Sequence, residues 1–493
     1  MQDLKEKIIR GSLARLCAQG ASLLLRVGSL MILARLLSPK DFGLVGMVTA
    51  FTGVLVWFRD FGLSAAVVQR ATVTEEQIST LFWINITFGT VLGLVSMAMA
   101  PTIAAFYHEH QLIWVTIILA AGFLFNSAGV QHSALLQRQM RFTVLAVISV
   151  VALIVGTAIG IGGARAGYGY WALAAMSVTQ PLIASIGFWM ATGWVPRVPS
   201  SRVGIRSMVH FGGILTLTGL VAYVAFNAEK IMIGRFSGVD AIGIYGRAYT
   251  LVMIPTDIMN SAIGEVAFSG LSRLQNDPIR LRSYFLKGFS LVLALILPAT
   301  IACALFADDL VLFFLGPKWK DTVAIVRLLA PHVAIIAIIN PLGWLISSIG
   351  LVARNLKILL VFAPIMITGC AMALPYGPKG VAFAYSAVMM LWVIPYILWC
   401  VHGTAVSFRD IVMTVSWPFA SAALAGGVAF GARLICGEFV SPLLRLVLEC
   451  SVLVIVFHGV LLVAAAGQRS LYLDLLRGLK GPPSAAESIS ISA

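Results

Sequence analysis

The sequence predicts an all-α polytopic membrane protein of about fourteen transmembrane helices, two pseudo-symmetric six-helix lobes followed by two further helices. Three observations carry that expectation. Hydrophobic residues make up 60% of the 493 and charged residues only 11%, less than half the charged share of a soluble domain. The mean hydropathy is +0.97, more apolar surface than a soluble fold can hide behind a polar exterior. The basic residues collect in short breaks between long apolar runs, and one segment of the first half recurs in the second.

A spanning helix needs about 20 mostly apolar residues. Runs that meet this are 13–37, 42–58, 78–107, 112–136, 142–163, 168–193 and 209–233 in the first half. They continue as 242–268, 289–315, 322–349, 356–372, 380–401, 411–435 and 443–466. Pro39, Pro101, Pro317, Pro375 and Pro442 fall near the expected breaks, where a missing backbone donor costs least. The longest loops are expected around 193–208 and 269–288, short and basic. After Gly467 the chain is polar and small, ending GPPSAAESISISA, a composition that predicts a disordered tail.

The net charge of +14 and isoelectric point near 9.8 would suggest nucleic acid in a soluble protein. Here the charges fix topology instead, and no nucleic-acid partner is expected. Of the 34 Lys and Arg, 20 fall in one set of alternate loops, 9 in the other, and 5 within spans. The richer side holds both termini and is read as cytoplasmic, which requires an even number of spans. The N-terminus, MQDLKEKIIRGSLARL, lacks the pattern of a removable signal peptide. The six cysteines are scattered through apolar segments with neither a CxxC pair nor a metal-ligand spacing.

The recurrence is direct. LARLLSPKDFGLVGM (33–47) laid over IGRFSGVDAIGIYGR (233–247) matches Arg35 with Arg235, Gly43 with Gly243, Leu44 with Ile244 and Gly46 with Gly246, all at one offset of 200. Spans one and seven run in the same direction, so the repeat is parallel, with its axis along the membrane normal. The domains expected are a first lobe at 1–200, a second at 201–405, two added helices at 406–466 and a cytoplasmic tail at 467–493.

No enzyme is expected. The chain has no GxxxxGK[ST] phosphate loop, no HExxH and no GxSxG elbow, and no loop long enough for a catalytic domain. What remains are ionisable residues within spans, each costly in hydrocarbon unless it faces protein or water. Arg15 and Arg26 lie eleven residues apart, three turns plus about 20°, and share a helix face. Two guanidiniums on one face suit a large anion carrying phosphates; alternatively Arg15 snorkels to headgroups. Arg59, Lys230 and Arg247 complete the candidate substrate path. Asp60, Glu229, Asp257 and Glu265 are the candidate acids, for static pairing or for coupling to a proton or sodium ion. Glu229–Lys230 is either part of that path or a solvated pair near the interface. Asn85, Asn126, Gln131, His132 and Gln180 lie at mid-depth, where single polar residues more often bond between helices than touch substrate.

ARLLSPKDFGLVGM, FRDFGLSAAVVQR and TEEQISTLFWIN resemble the opening of the Wzx-type polysaccharide flippases. ALLQRQMRF, AIGIYGRAYTLVMIP, LSRLQNDPIRLR and LGPKW extend the resemblance over nearly the whole chain in the right order. It is nearest the WzxC-like branch of the polysaccharide transporter family, within the multidrug/oligosaccharidyl-lipid/polysaccharide exporter superfamily. The resemblance implies two six-helix lobes around a cationic cavity, alternating access, and movement of undecaprenyl-diphosphate-linked oligosaccharide across a bacterial cytoplasmic membrane. It also implies partners in polysaccharide polymerisation and export, membrane lipid around the chain, no cofactor, and at most proton or sodium coupling. Relatives often carry Asp before the lysine and Ile-Gly dipeptide; here Glu229 precedes Lys230, Ile233 and Gly234. Two other readings stay open: an ion-coupled drug exporter of the same superfamily, and a membrane glycosyltransferase or polymerase.

Overall fold

The computed structural model describes residues 2–58, 67, 73–199, 206–436 and 441–464; for 2–18, 206–215, 261, 262, 265, 266, 352, 436 and 464 it describes the backbone alone. Every regular element among these residues is helical. Among the described residues, eleven segments are apolar and long enough to cross a membrane.

Helix α1 runs Gln2–Leu36 and α2 Pro39–Val56. The break between them is written locally. Ser38 accepts from the Asp41 backbone nitrogen, the Asp41 carboxylate accepts from the Ser38 nitrogen, and Pro39 occupies the first turn, where its missing donor is harmless. Thr74 and Gln77 form the same reciprocal cap at the start of α3, Glu75–Tyr107. Helices α4 (Leu112–Arg138), α5 (Phe142–Arg165) and α6 (Tyr170–Thr192) follow. Pro101 lies inside α3 rather than at a break; the apolar run simply continues through it, as membrane helices tolerate.

Then come α7 (Arg206–Ser237) and α8 (Val239–Met259), joined at Gly238, whose φ of +88° suits a residue without a Cβ. Helix α8 carries Asp240, Arg247 and Asp257 and is not among the eleven apolar segments. The expected span at 242–268 is not one regular helix. The α-helix passes through Pro255 to Met259, widens into a π turn over Asn260–Gly264, and resumes as α9, Glu265–Arg273.

Helix α10 (Pro278–Leu305) begins well before the predicted span at 289, so much of the expected loop at 269–288 is helical. Asp277 caps it by accepting from the Arg280 nitrogen. After Phe306 the chain turns through α11 (Ala307–Phe314), then α12 (Thr322–Ser348), α13 (Val352–Ala373), α14 (Gly377–Val401), α15 (Phe408–Cys436) and α16 (Pro442–Ala464).

The chain packs as two compact units. The first comprises Met1–Thr250, Val311–Ile325 and Leu356–Val388; the second comprises Leu251–Leu310, Val326–Asn355 and Met389–Ala493. In the first, α3 packs on α4, α4 and α5 on α6, α1 on α5, and α2 on α7. Small residues set these approaches, since lipid gives apolar faces little reason to associate and close packing must. Gly156, Gly160 and Gly163 bring α5 against Gln180, Met176 and Ala172 of α6, and Gly129 of α4 meets Ser185. In the second unit α15 packs on α10 and α16, with Gly426 against Ile301.

Candidate functional site

Three of the predicted residues meet inside the first unit. Asn227 and Lys230 are three residues apart on α7 and so share a face; the Lys230 ammonium donates to Asn227 Oδ1 at 2.7 Å. It lies 4.0 Å from Glu229 Oε1, 4.2 Å from the centroid of the Tyr249 ring, and within electrostatic reach of Arg247. The Arg247 guanidinium stands 4.5 Å over the ring of Phe42, an arrangement in which the π face substitutes for lost solvent. Glu229 is 1% exposed, which rules out the solvated pair. The helix continues to Ser237, so this pair sits within α7.

The electrostatics are unbalanced. Lys230 has one carboxylate beside it and a second cation, Arg247, in reach, in a setting where an uncompensated charge is costly. Both Glu229 oxygens and the Arg247 Nε are buried without a hydrogen-bond partner among the described residues. Such a cluster is suited to take up an anionic group and hand it on.

Arg26 is elsewhere in the same unit. It lies on the wall of a cavity of about 540 Å³ formed by α1, α4, α5 and α6, with Asn126, Gln180 and several serines. Two of the mid-depth amides thus line a cavity. The others do not: Asn85 and Gln131 are fully buried, and His132 stacks on Trp189 at 4.3 Å.

Of the remaining predicted residues, Asp257 is exposed on α8 in the second unit. Arg59 and Asp60 lie outside the described residues, as do the side chains of Arg15 and Glu265. The π turn just beyond Asp257 is tied to α12 by Asn340 Nδ2 donating to Asn260 Oδ1 at 3.0 Å.

The sequence reading missed one constellation. In the second unit Asp309, 1% exposed, accepts from Arg445 through both carboxylate oxygens and lies 3.5 Å from Arg433. Arg433 also reaches Glu449 at 3.7 Å and Asp308 at 3.5 Å; Asp308 is bridged by Arg327. The partners are more than a hundred residues apart, so no local pattern announces them. Every arginine here has an acid, which marks a fastening rather than a binding site. Among the described residues no group of His, Cys, Asp and Glu side chains comes together to hold a metal ion.

Eleven apolar, membrane-length helical segments among the described residues define a polytopic membrane protein. The polysaccharide biosynthesis protein family matches residues 32–324, and the chain belongs to that family, in the polysaccharide transporter branch of the multidrug/oligosaccharidyl-lipid/polysaccharide exporter superfamily. It is 27% identical over 402 residues to the teichuronic acid biosynthesis protein TuaB of Bacillus subtilis, covering 77% of this chain and 79% of that one. It is 23% identical over 430 residues to the lipopolysaccharide biosynthesis protein WzxC of Escherichia coli, covering 85% and 86%. Among solved structures the lipid II flippase MurJ in an inward closed conformation matches with a TM-score of 0.74 at 14% identity, over 95% of this chain and all of that one. An inward-facing multidrug transporter of the MATE family matches at 0.63 and 15% identity, over 77% and 93%. At those identities the likeness is one of fold.

Proposed function

We propose that the protein is a flippase for polyprenyl-diphosphate-linked oligosaccharide repeat units in surface-polysaccharide synthesis, working by alternating access in a bacterial cytoplasmic membrane. The observation that carries this reading is Lys230 with Glu229 beside it and Arg247 in electrostatic reach, two cations to one acid among these three residues, a charge excess that an anionic passenger would balance. Arg15, Arg26 and Arg59 belong to the same path, and the polyprenyl tail stays in lipid. The sequence-based frame goes with it: fourteen spans, lobes at 1–200 and 201–405, added helices at 406–466, and both termini cytoplasmic. The names of the relatives, which concern teichuronic acid and lipopolysaccharide synthesis, support the class of cargo. Cells lacking the protein should hold lipid-linked repeat units on the cytoplasmic face. Delivery to the outer face at the normal rate would sink the proposal.

A second reading, an ion-coupled exporter of small molecules, is supported by the fold shared with the MATE transporter. It assigns proton or sodium coupling to Asp257. It predicts dye efflux that Asp257→Asn abolishes, and unaltered efflux in that variant would remove it.

A further inference from the structure

The cavity around Arg26 has a chemistry of its own. Among the described residues its wall carries one cation, two amides (Asn126 and Gln180) and five serines, and no acidic residue. Arg26 forms no ion pair with any described residue, and its side chain is exposed on the wall.

The serines narrow the ligand. Each hydroxyl has a single proton to donate and two lone pairs with which to accept. Ser133 donates to the Val130 carbonyl at 3.1 Å, Ser149 to Leu145 at 2.8 Å and Ser177 to Leu173 at 2.8 Å. These three of the five serines on the wall spend their protons on their own helices, as serines in apolar helices commonly arrange, and their oxygens face the cavity only as acceptors. A matching ligand must therefore donate several hydroxyl protons and carry one negative charge for Arg26. A diphosphate has the opposite character: more than one charge, oxygen acceptors throughout and no proton to offer three serines. A neutral sugar satisfies the serines but leaves the guanidinium without a counter-ion. A carboxylated pyranose satisfies both. The volume, about 540 Å³, falls inside the roughly 300–1,000 Å³ range of small-molecule sites.

We propose that this cavity binds one uronic-acid residue of the glycan, separately from the cations that meet the diphosphate. The inference rests on the reading of the protein as a glycan transporter, and its test does not use transport. Full-length protein in nanodiscs is titrated with methyl β-D-glucuronoside, methyl β-D-glucoside and inorganic phosphate, with binding followed by calorimetry. The glucuronoside is expected to bind at least tenfold more tightly than either of the others. Arg26→Gln should bring it down to the glucoside level, and Arg26→Lys should keep part of the preference. Thermal unfolding of each variant checks that it folds.

Equal binding of the two glycosides, stronger binding of phosphate, no binding of the glucuronoside, or an unaltered preference in a folded Arg26→Gln protein overturns the proposal. The wild-type comparison decides even if that variant fails to fold. A protein that moves lipid-linked oligosaccharide without preferring the glucuronoside loses this inference and keeps the proposed function. One that prefers the glucuronoside yet moves no lipid-linked sugar keeps the site and loses the transport reading.

Discussion

Gly43 and Gly243, two hundred residues apart, pack on each other where the first turns of α2 and α8 cross. A methyl group on Gly243 would fall 3.2 Å from the Gly43 nitrogen and overlap the Pro39 carbonyl, and one on Gly43 would overlap the Val239 carbonyl. Pro39 and Val239 are themselves two hundred apart. The contact is therefore its own image under the sequence repeat, as expected when a duplicated segment packs on its copy. The other repeated glycines behave differently: Gly246 meets nothing within 4 Å and Gly46 only the end of Ile242 at 3.9 Å.

Alanine at Gly43 or Gly243 should therefore force two backbones apart, at a cost of about 1–3 kcal/mol. The obstructing atoms are carbonyls, which no rotamer change can move aside. Alanine at Gly246 meets open space inside a helix and should be neutral or stabilising, by up to about 1 kcal/mol. Thermal unfolding in detergent checks all three, and a Gly43→Ala protein as stable as Gly246→Ala would show that the crossing is not tight.

Trp319 should fasten the same region. It is fully buried, its indole nitrogen donates to the Ala34 carbonyl at 2.8 Å, and its ring meets Phe42 edge-on at 5.5 Å. Trp319→Phe keeps most of the apolar contact and removes the donor, leaving a buried carbonyl unpaired. A loss of about 1–3 kcal/mol is expected in the same unfolding experiment; an unchanged midpoint would mean that the carbonyl finds another donor.

Asp309 and Arg327 offer a contrast within one network. Asp309 is buried against Arg445 and Arg433, so Asp309→Asn leaves two half-buried guanidiniums short of a counter-ion, at about 3–5 kcal/mol. Arg327 and Asp308 are each nearly half exposed, so Arg327→Gln should cost no more than about 1 kcal/mol. If the two variants unfold together, burial does not set the strength of these pairs.

How much of this was readable in the sequence depended on the range of the signal. Helices are announced by uninterrupted apolar runs and by caps such as Ser38–Pro39–Asp41, all local. The Gly43–Gly243 alignment was legible because a duplication preserves spacing. The π turn was not: the helix passes through Pro255 and widens five residues later, at a segment no proline marks. Asp308 and Asp309 fall inside the expected span 289–315 with no partner in view, and Arg433 and Arg445 read as topology charges, because their pairing is a property of packing. The Arg26 cavity was half legible; the sequence showed a cation within a span but not the serines from α4, α5 and α6 gathered around it.

Glu229 is where charge balance meets transport. It is the acid beside Lys230, with Arg247 in reach, and under the proposed function an anionic passenger would compete with it for Lys230. Glu229→Gln keeps the shape and removes the competitor, so the substrate should be held more tightly and released more slowly. In proteoliposomes carrying a fluorescent lipid-linked oligosaccharide, KM should fall and turnover should drop about tenfold, a barrier change of about 1.4 kcal/mol. Lys230→Met should act in the opposite sense on binding, raising KM because one of the two cations is gone. A Glu229→Gln protein that loses turnover with a raised KM would point instead to a positioning role for the acid. The sign of the KM change therefore decides whether Glu229 balances the charge of the path or only supports its shape.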